Sequence, residues 1–168
     1  CLQWIYEFDD QCQGIARDIY PSVVDDHGVS KAFKYYLKEV EASATAQFAK
    51  HIDEVPRSYS GLERALYLVG KGLVQNGLKH AEASLVEVTL TSHEERVTLR
   101  VKDNGKGFHP NAVLTRDAIG KSRFGIPWIK AQVEIYEGHV KLDSSPGCGT
   151  TVDISMPWPK DGGETSEP

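Results

Sequence analysis

The chain has 168 residues, room for one compact domain and cramped for two. Hydrophobic residues make up 40% and charged residues 26%, which excludes an extended disordered chain and permits a real core. With 19 Lys and Arg against 24 Asp and Glu the net charge is −5, so no global positive field recommends a nucleic-acid or anionic-membrane surface, and a phosphate ligand must be held locally.

A helix is expected over Gln3–Tyr20, stopped by Pro21 and the Asp25-Asp26-His27-Gly28 cluster. From Ser30, read as an N-cap, Ala32, Phe33, Tyr36, Leu37 and Val40 form the apolar stripe of an amphipathic helix. Residues 44–52 suit a short strand. Ser60 and Glu63 have capping-box spacing, and Leu62, Ala65, Leu66, Val69 and Leu73 then mark one face of a helix running from about Gly61 to Ala81. Val86, Val88 and Leu90, then Val97, Leu99 and Val101, alternate with polar residues across a loop at His93–Glu95, the pattern of paired strands. Asp103 continues the parity of Val97, Leu99 and Val101, which aims a carboxylate at the buried face.

Asn104–Phe124 has no clean periodicity and reads as a long loop, a length typical of binding lids. A helix follows over about Phe124–Tyr136. Two strands carrying Val140 and Leu142, then Val152, Ile154 and Met156, flank a turn at Pro146-Gly147-Cys148-Gly149. Thr150 shares the inward parity of Val152. Beyond Pro157 the composition is that of a disordered tail.

No apolar stretch reaches the ~20 residues of a membrane helix, and Cys1-Leu2-Gln3-Trp4 has no signal-peptide character. Cys1, Cys12 and Cys148 are odd in number and form no CxxC pair, which argues against disulfides and zinc and for a reducing, cytosolic setting.

Three pieces could carry chemistry. Asn76-Gly77-Leu78-Lys79-His80-Ala81 closes a helix, where Asn76 offers an amide oxygen to a hydrated cation while Lys79 and His80 suit phosphate oxygens. The same residues also suit a solvated helix end with cations at its C-terminus. Asp103-Asn104-Gly105-Lys106-Gly107 ends a strand, where a buried acid needs donors and an exocyclic purine amine is one. An ordinary Asp-Asn-Gly turn has that sequence too. Gly147-Cys148-Gly149-Thr150 opens the last strand and turns the Thr150 hydroxyl to the same interior as Asp103.

In this order, with Gly120 and Gly125 between the second and third pieces, these boxes resemble the ATP-binding domain shared by sensor histidine kinases, gyrase-type topoisomerases and the related chaperone and mismatch-repair ATPases. Leu66 through Ala81 is most similar to histidine kinases whose response regulators carry helix-turn-helix output domains. The run Arg17–Val29 resembles the segment linking their dimerisation helices to the catalytic domain. The resemblance implies an α+β fold, a two-layer Bergerat-type sandwich with a mixed, mostly antiparallel sheet against about three helices. It divides the chain into 1–28, the end of the dimerisation and linker region; 29–158, the ATP-binding domain; and 159–168, the tail.

Carried over residue by residue, the resemblance has Asp103 accept the adenine amine and Thr150 support it through water. Asn76 would ligate Mg2+, with Lys79 and His80 near the phosphates of ATP. Gly105 and Gly107 would hem the base, Gly120 and Gly125 would flank a lid, and Gly149 precedes Thr150 in the closing box. The implied activity is transfer of the γ-phosphoryl group to a histidine. No histidine here sits in a phosphoacceptor pattern, so the acceptor is expected upstream of Cys1, on a dimerisation domain of the same protein. A response regulator and a full-length homodimer are the expected partners, with no nucleic acid and no direct membrane contact. The expected location is the cytosol, or the cytosolic part of a membrane-bound sensor.

One position departs from the pattern. Related kinases place Glu four residues before the box asparagine, as general base or magnesium support, and this chain has Gly72. General-base assistance is worth ~100- to 10,000-fold, so slow turnover, or a nucleotide-gated signalling module without catalysis, is the alternative. A serine kinase of the anti-sigma type on the same fold is disfavoured by the Arg17–Val29 run.

Overall fold

A computed structural model of the chain describes residues 22–110 and 125–159. The helix expected over Gln3–Tyr20, Gly120, Phe124 and nearly all of the expected tail lie outside the described residues. Among the described residues, three helices, α1 (Ser22–Ser43), α2 (Ser60–Lys79) and α3 (Ile126–Ile135), accompany five strands: β1 (Gln47–Ile52), β2 (Leu85–His93), β3 (Arg96–Asp103), β4 (His139–Ser144) and β5 (Thr150–Pro157). The strands form one sheet in the order β1-β2-β3-β5-β4. β1 runs parallel to β2 and every other pair is antiparallel. This is the two-layer α+β arrangement that the resemblance implies, a mixed and mostly antiparallel sheet against helices.

Alternation in the strands builds the core. Val86, Val88 and Leu90 of β2, Val97, Leu99 and Val101 of β3, and Val152, Ile154 and Met156 of β5 are all buried, while Arg96, Thr98, Arg100 and Lys102 of β3 are exposed. Period two thus leaves one sheet face to water and gives the other to the helices. Leu62, Leu66, Val69 and Leu73 of α2 face the buried side. Phe33 and Tyr36 of α1 meet Tyr67 of α2 edge-on, with ring centroids 6.0–6.2 Å apart, the geometry aromatic quadrupoles favour. Gly70 makes this packing close, since a Cβ there would lie 2.2 Å from Phe33 Cζ. Trp158, only 1% exposed, seals one end by donating from Nε1 to the Pro56 carbonyl at 2.8 Å.

Several local expectations fail because tertiary contacts recruit the residues first. Asp25, Asp26 and His27 are helical, and α1 is interrupted only at Gly28, whose φ 79 and ψ 164 belong to a region essentially restricted to glycine. Ser30 does not cap a helix; its Oγ accepts the Val55 N–H at 2.9 Å. The Ser60–Glu63 capping box does not form, and the N-cap of α2 is Tyr59, with no side-chain cap bond. Glu63 is instead fully buried and accepts from Ser58 N–H at 2.7 Å and Arg57 Nε at 2.9 Å. Beside it Asp25 holds Arg64 in a bidentate pair at 2.8 and 2.9 Å. α2 also ends at Lys79 rather than Ala81.

Candidate functional site

The end of α2, the end of β3 with its following loop, the start of β5 and the start of α3 converge on one cavity of about 420 Å³, within the size range of small-molecule sites. Asn76, His80 and Ala81 form one wall, Asp103, Lys106, Gly107 and Phe108 another, and Gly125, Ile126 and Thr150 complete the lining.

Backbone contacts hold these segments together. Lys106 N–H donates to the Ala81 carbonyl at 2.8 Å, and Gly147 N–H donates to the Lys106 carbonyl at 2.7 Å. Asn104 accepts at Oδ1 from the N–H groups of Ser84 and Leu85, at 3.0 and 2.9 Å, which ties the end of β3 to the start of β2. Gly105 has to be glycine because a Cβ there would lie 2.2 Å from the Ala81 carbonyl oxygen. Gly149, at φ +74, would bring a Cβ within 2.1 Å of the Asp103 carbonyl oxygen. The glycines of two boxes therefore lock backbone to backbone.

Asp103 is the electrostatic centre. It ends β3 opposite Thr150, is 8% exposed, and rests against Gly77, where an added Cβ would lie 3.5 Å from its own. Burial raises its pKa above the ordinary carboxylate value, while hydrogen bonds from the backbone N–H groups of Gly105 and Thr150 pull it down. The Gly105 bond is 2.9 Å long. No cation pairs with this carboxylate among the described ion pairs, so it offers an unneutralised acceptor to the cavity.

Of the residues singled out from sequence, Asn76, His80, Asp103, Gly107, Gly125 and Thr150 line the cavity. Gly105 and Gly149 brace it from behind. Lys79 is exposed and outside the described lining, and the lysine found there is Lys106, which pairs with Glu82 at 3.0 Å on the surface. Gly72 is buried within α2, one turn before Asn76. Sequence reasoning missed Lys106, Phe108, Ile126 and Ser144. Ser144 had a usable signal, because it shares parity with Val140 and Leu142 on β4 and pairs with Thr150. Lys106 and Phe108 follow a strand end, where no periodicity assigns a face.

A family model described as histidine kinase-, DNA gyrase B-, and HSP90-like ATPase matches residues 61–160, and the chain belongs to this family. Over 145 residues it is 34% identical to the signal transduction histidine-protein kinase/phosphatase DegS of Brevibacillus brevis, a match covering 85% of this chain and 36% of DegS. Over 149 residues it is 28% identical to the oxygen sensor histidine kinase NreB of Staphylococcus carnosus (strain TM300), covering 88% of this chain and 42% of NreB. The chain thus spans about two fifths of the length of these curated relatives. The histidine kinase domain from the Erythrobacter litoralis EL346 blue-light activated histidine kinase shares the fold, with a TM-score of 0.64 at 15% identity over 77% of this chain and 65% of that one. Within its family the chain is an ATP-binding catalytic domain of the sensor histidine kinase type.

Proposed function

We propose that the cavity binds magnesium ATP with its adenine over Asp103, and that the domain passes the γ-phosphoryl group to a histidine on a dimerisation helix of the same protein. The observation that carries this reading is the buried Asp103 carboxylate, held by backbone donors and opening onto a cavity that a helix end and a helix start enclose. Asp103 accepts the exocyclic amine, and the Thr150 hydroxyl lies beside it. His80 and Lys106 stand where they can meet phosphate oxygens, and the first turn of α3 at Ile126 supplies N–H donors to the same anion. The 3.0 Å Lys106–Glu82 pair has side chains 61% and 80% exposed, so it is weak and releases Lys106 readily.

Among the described residues no group of three or more His, Cys, Asp or Glu could hold a metal ion. The Asn76 amide on the cavity wall nevertheless suits magnesium, which keeps several waters and leans on substrate phosphates. When bound, the ion neutralises charge on the β- and γ-phosphates during transfer. The unprotonated imidazole nitrogen attacks with its lone pair, the bond from the γ-phosphorus to the bridging oxygen breaks, ADP leaves, and the proton on the other ring nitrogen passes to solvent. Asp103 is the one carboxylate among the described lining residues, and it sits at the base-binding end. With Gly72 where a glutamate is expected, turnover is slow and rests on positioning and on the metal. A response regulator would receive the phosphoryl group, and a homodimer would present the acceptor helix.

ATP titration with and without Mg2+, combined with autophosphorylation of the protein carrying its dimerisation helices, tests the proposal. Micromolar to millimolar ATP binding that tightens with Mg2+, followed by acid-labile phosphohistidine, supports it. ATP binding without any phosphohistidine supports the signalling-module reading, and no ATP binding refutes both.

A further inference from the structure

The hydroxyl of Ser144, buried at 9% exposure, has three polar neighbours, each at 3.0 Å. It accepts the Phe108 N–H, faces the Gly149 carbonyl oxygen and meets Thr150 Oγ1. A carbonyl can only accept, so the single proton of Ser144 goes to Gly149. Phe108 N–H fills one lone pair of Ser144, and the contact with Thr150 is then a hydrogen bond only if Thr150 donates into the other. Reversing that bond would leave the Gly149 oxygen against Ser144 Oγ with no proton between them at a buried point. The one proton of Thr150 is therefore committed, and what its hydroxyl shows the cavity is lone pairs. Asp103, opposite Thr150 in the ladder, is likewise an acceptor when ionised.

We propose that Ser144 is a positioning residue that fixes the Thr150 hydroxyl as an acceptor, so that the cavity floor selects a purine bearing a 6-amino group over a 6-oxo purine. This rests on the adenine-site reading above and adds the source of its selectivity. Without Ser144 the Thr150 proton is free to serve a 6-oxo oxygen.

The test is calorimetric titration with ATP and with inosine triphosphate on the wild type, Ser144→Ala, Thr150→Val, the double variant and Asp103→Asn. Ser144→Ala should lower the ATP-over-inosine preference by about tenfold, the scale of one hydrogen bond. In the Thr150→Val background the same substitution should leave the preference unchanged. Ser144→Cys, a weaker acceptor of similar size, should shift the ratio in the same direction and serves if the alanine variant does not fold. Equal weakening of both triphosphates by Ser144→Ala would overturn the proposal, since a residue that merely braces the loop would have that effect. If that result came with Asp103→Asn still weakening ATP, the adenine site would stand and the role of Ser144 would fall. A wild type without preference would overturn both.

Discussion

Asp103→Asn separates ligand recognition from folding at one atom. The replacement is nearly isosteric, Asn Oδ1 can still accept the Gly105 N–H now held at 2.9 Å, and Gly77 leaves room beside it. What changes is the second terminal atom, which becomes an NH2 donor that can accept neither the adenine amine nor the Thr150 backbone N–H. Loss of a hydrogen bond to a charged group costs about 1.5–3 kcal/mol, so ATP and ADP should bind roughly 10- to 150-fold more weakly by calorimetry. Thermal unfolding of the ligand-free variant near neutral pH should change little, because removing a carboxylate whose pKa burial raises offsets the weakened backbone bond from Thr150. Nucleotide affinity within twofold of wild type, with the fold intact, would refute the assignment. The pH dependence has two opposite signs. Between the ordinary carboxylate value of 3.8 and the raised native value, the native state holds more protons than the unfolded one, so this group's contribution to ligand-free stability falls as pH rises through that window. Nucleotide affinity instead falls as pH drops through the raised value, and Asp103→Asn should flatten both trends.

Gly72→Glu, in protein that includes the dimerisation helices, should raise the autophosphorylation rate by about tenfold or more if the missing carboxylate limits turnover. Circular dichroism must show an intact fold because Gly72 is buried, and a folded variant with an unchanged or lower rate counts against the lost-base account. Gly70→Ala would place a Cβ 2.2 Å from Phe33 Cζ and 2.9 Å from Leu99 Cδ2, an overpacking that should destabilise by about 1–3 kcal/mol. Its melting temperature should fall by several degrees and partly recover with Phe33→Leu; no change would mean that α1 and α2 are less tightly apposed than described.

Legibility in the sequence followed physical range. The alternation through Val97, Leu99 and Val101 carried the sheet and correctly turned Asp103 inward, because period two is enforced by the pleat itself. The same logic placed Thr150 and would have found Ser144. Ser30 and Glu63 were misread because their local capping roles compete with partners distant in the chain, Val55 for one and the Arg57–Ser58 segment for the other. Gly105 and Gly149 were legible as loop glycines, but their close approach to Ala81 and Asp103 is a property of three segments meeting. Lys106 lies in the loop after β3, where no periodicity assigns a face, and its place at the cavity goes with a backbone bond to the distant Ala81.

With Trp4 and Trp128 replaced by Phe, Trp158 serves the domain as an optical reporter. Its indole is buried at 1% exposure and bonded to a carbonyl 102 residues earlier in the chain, so its emission should be blue-shifted only when the end of β5 has docked on the loop before α2. A contact of such separation pays its loop-closure entropy last, and its fluorescence change should therefore trail formation of the β2–β3 hairpin in refolding. A chain cut just ahead of Trp158 would keep every described residue that lines the cavity and lose the side chain that closes the core at the opposite end of β5.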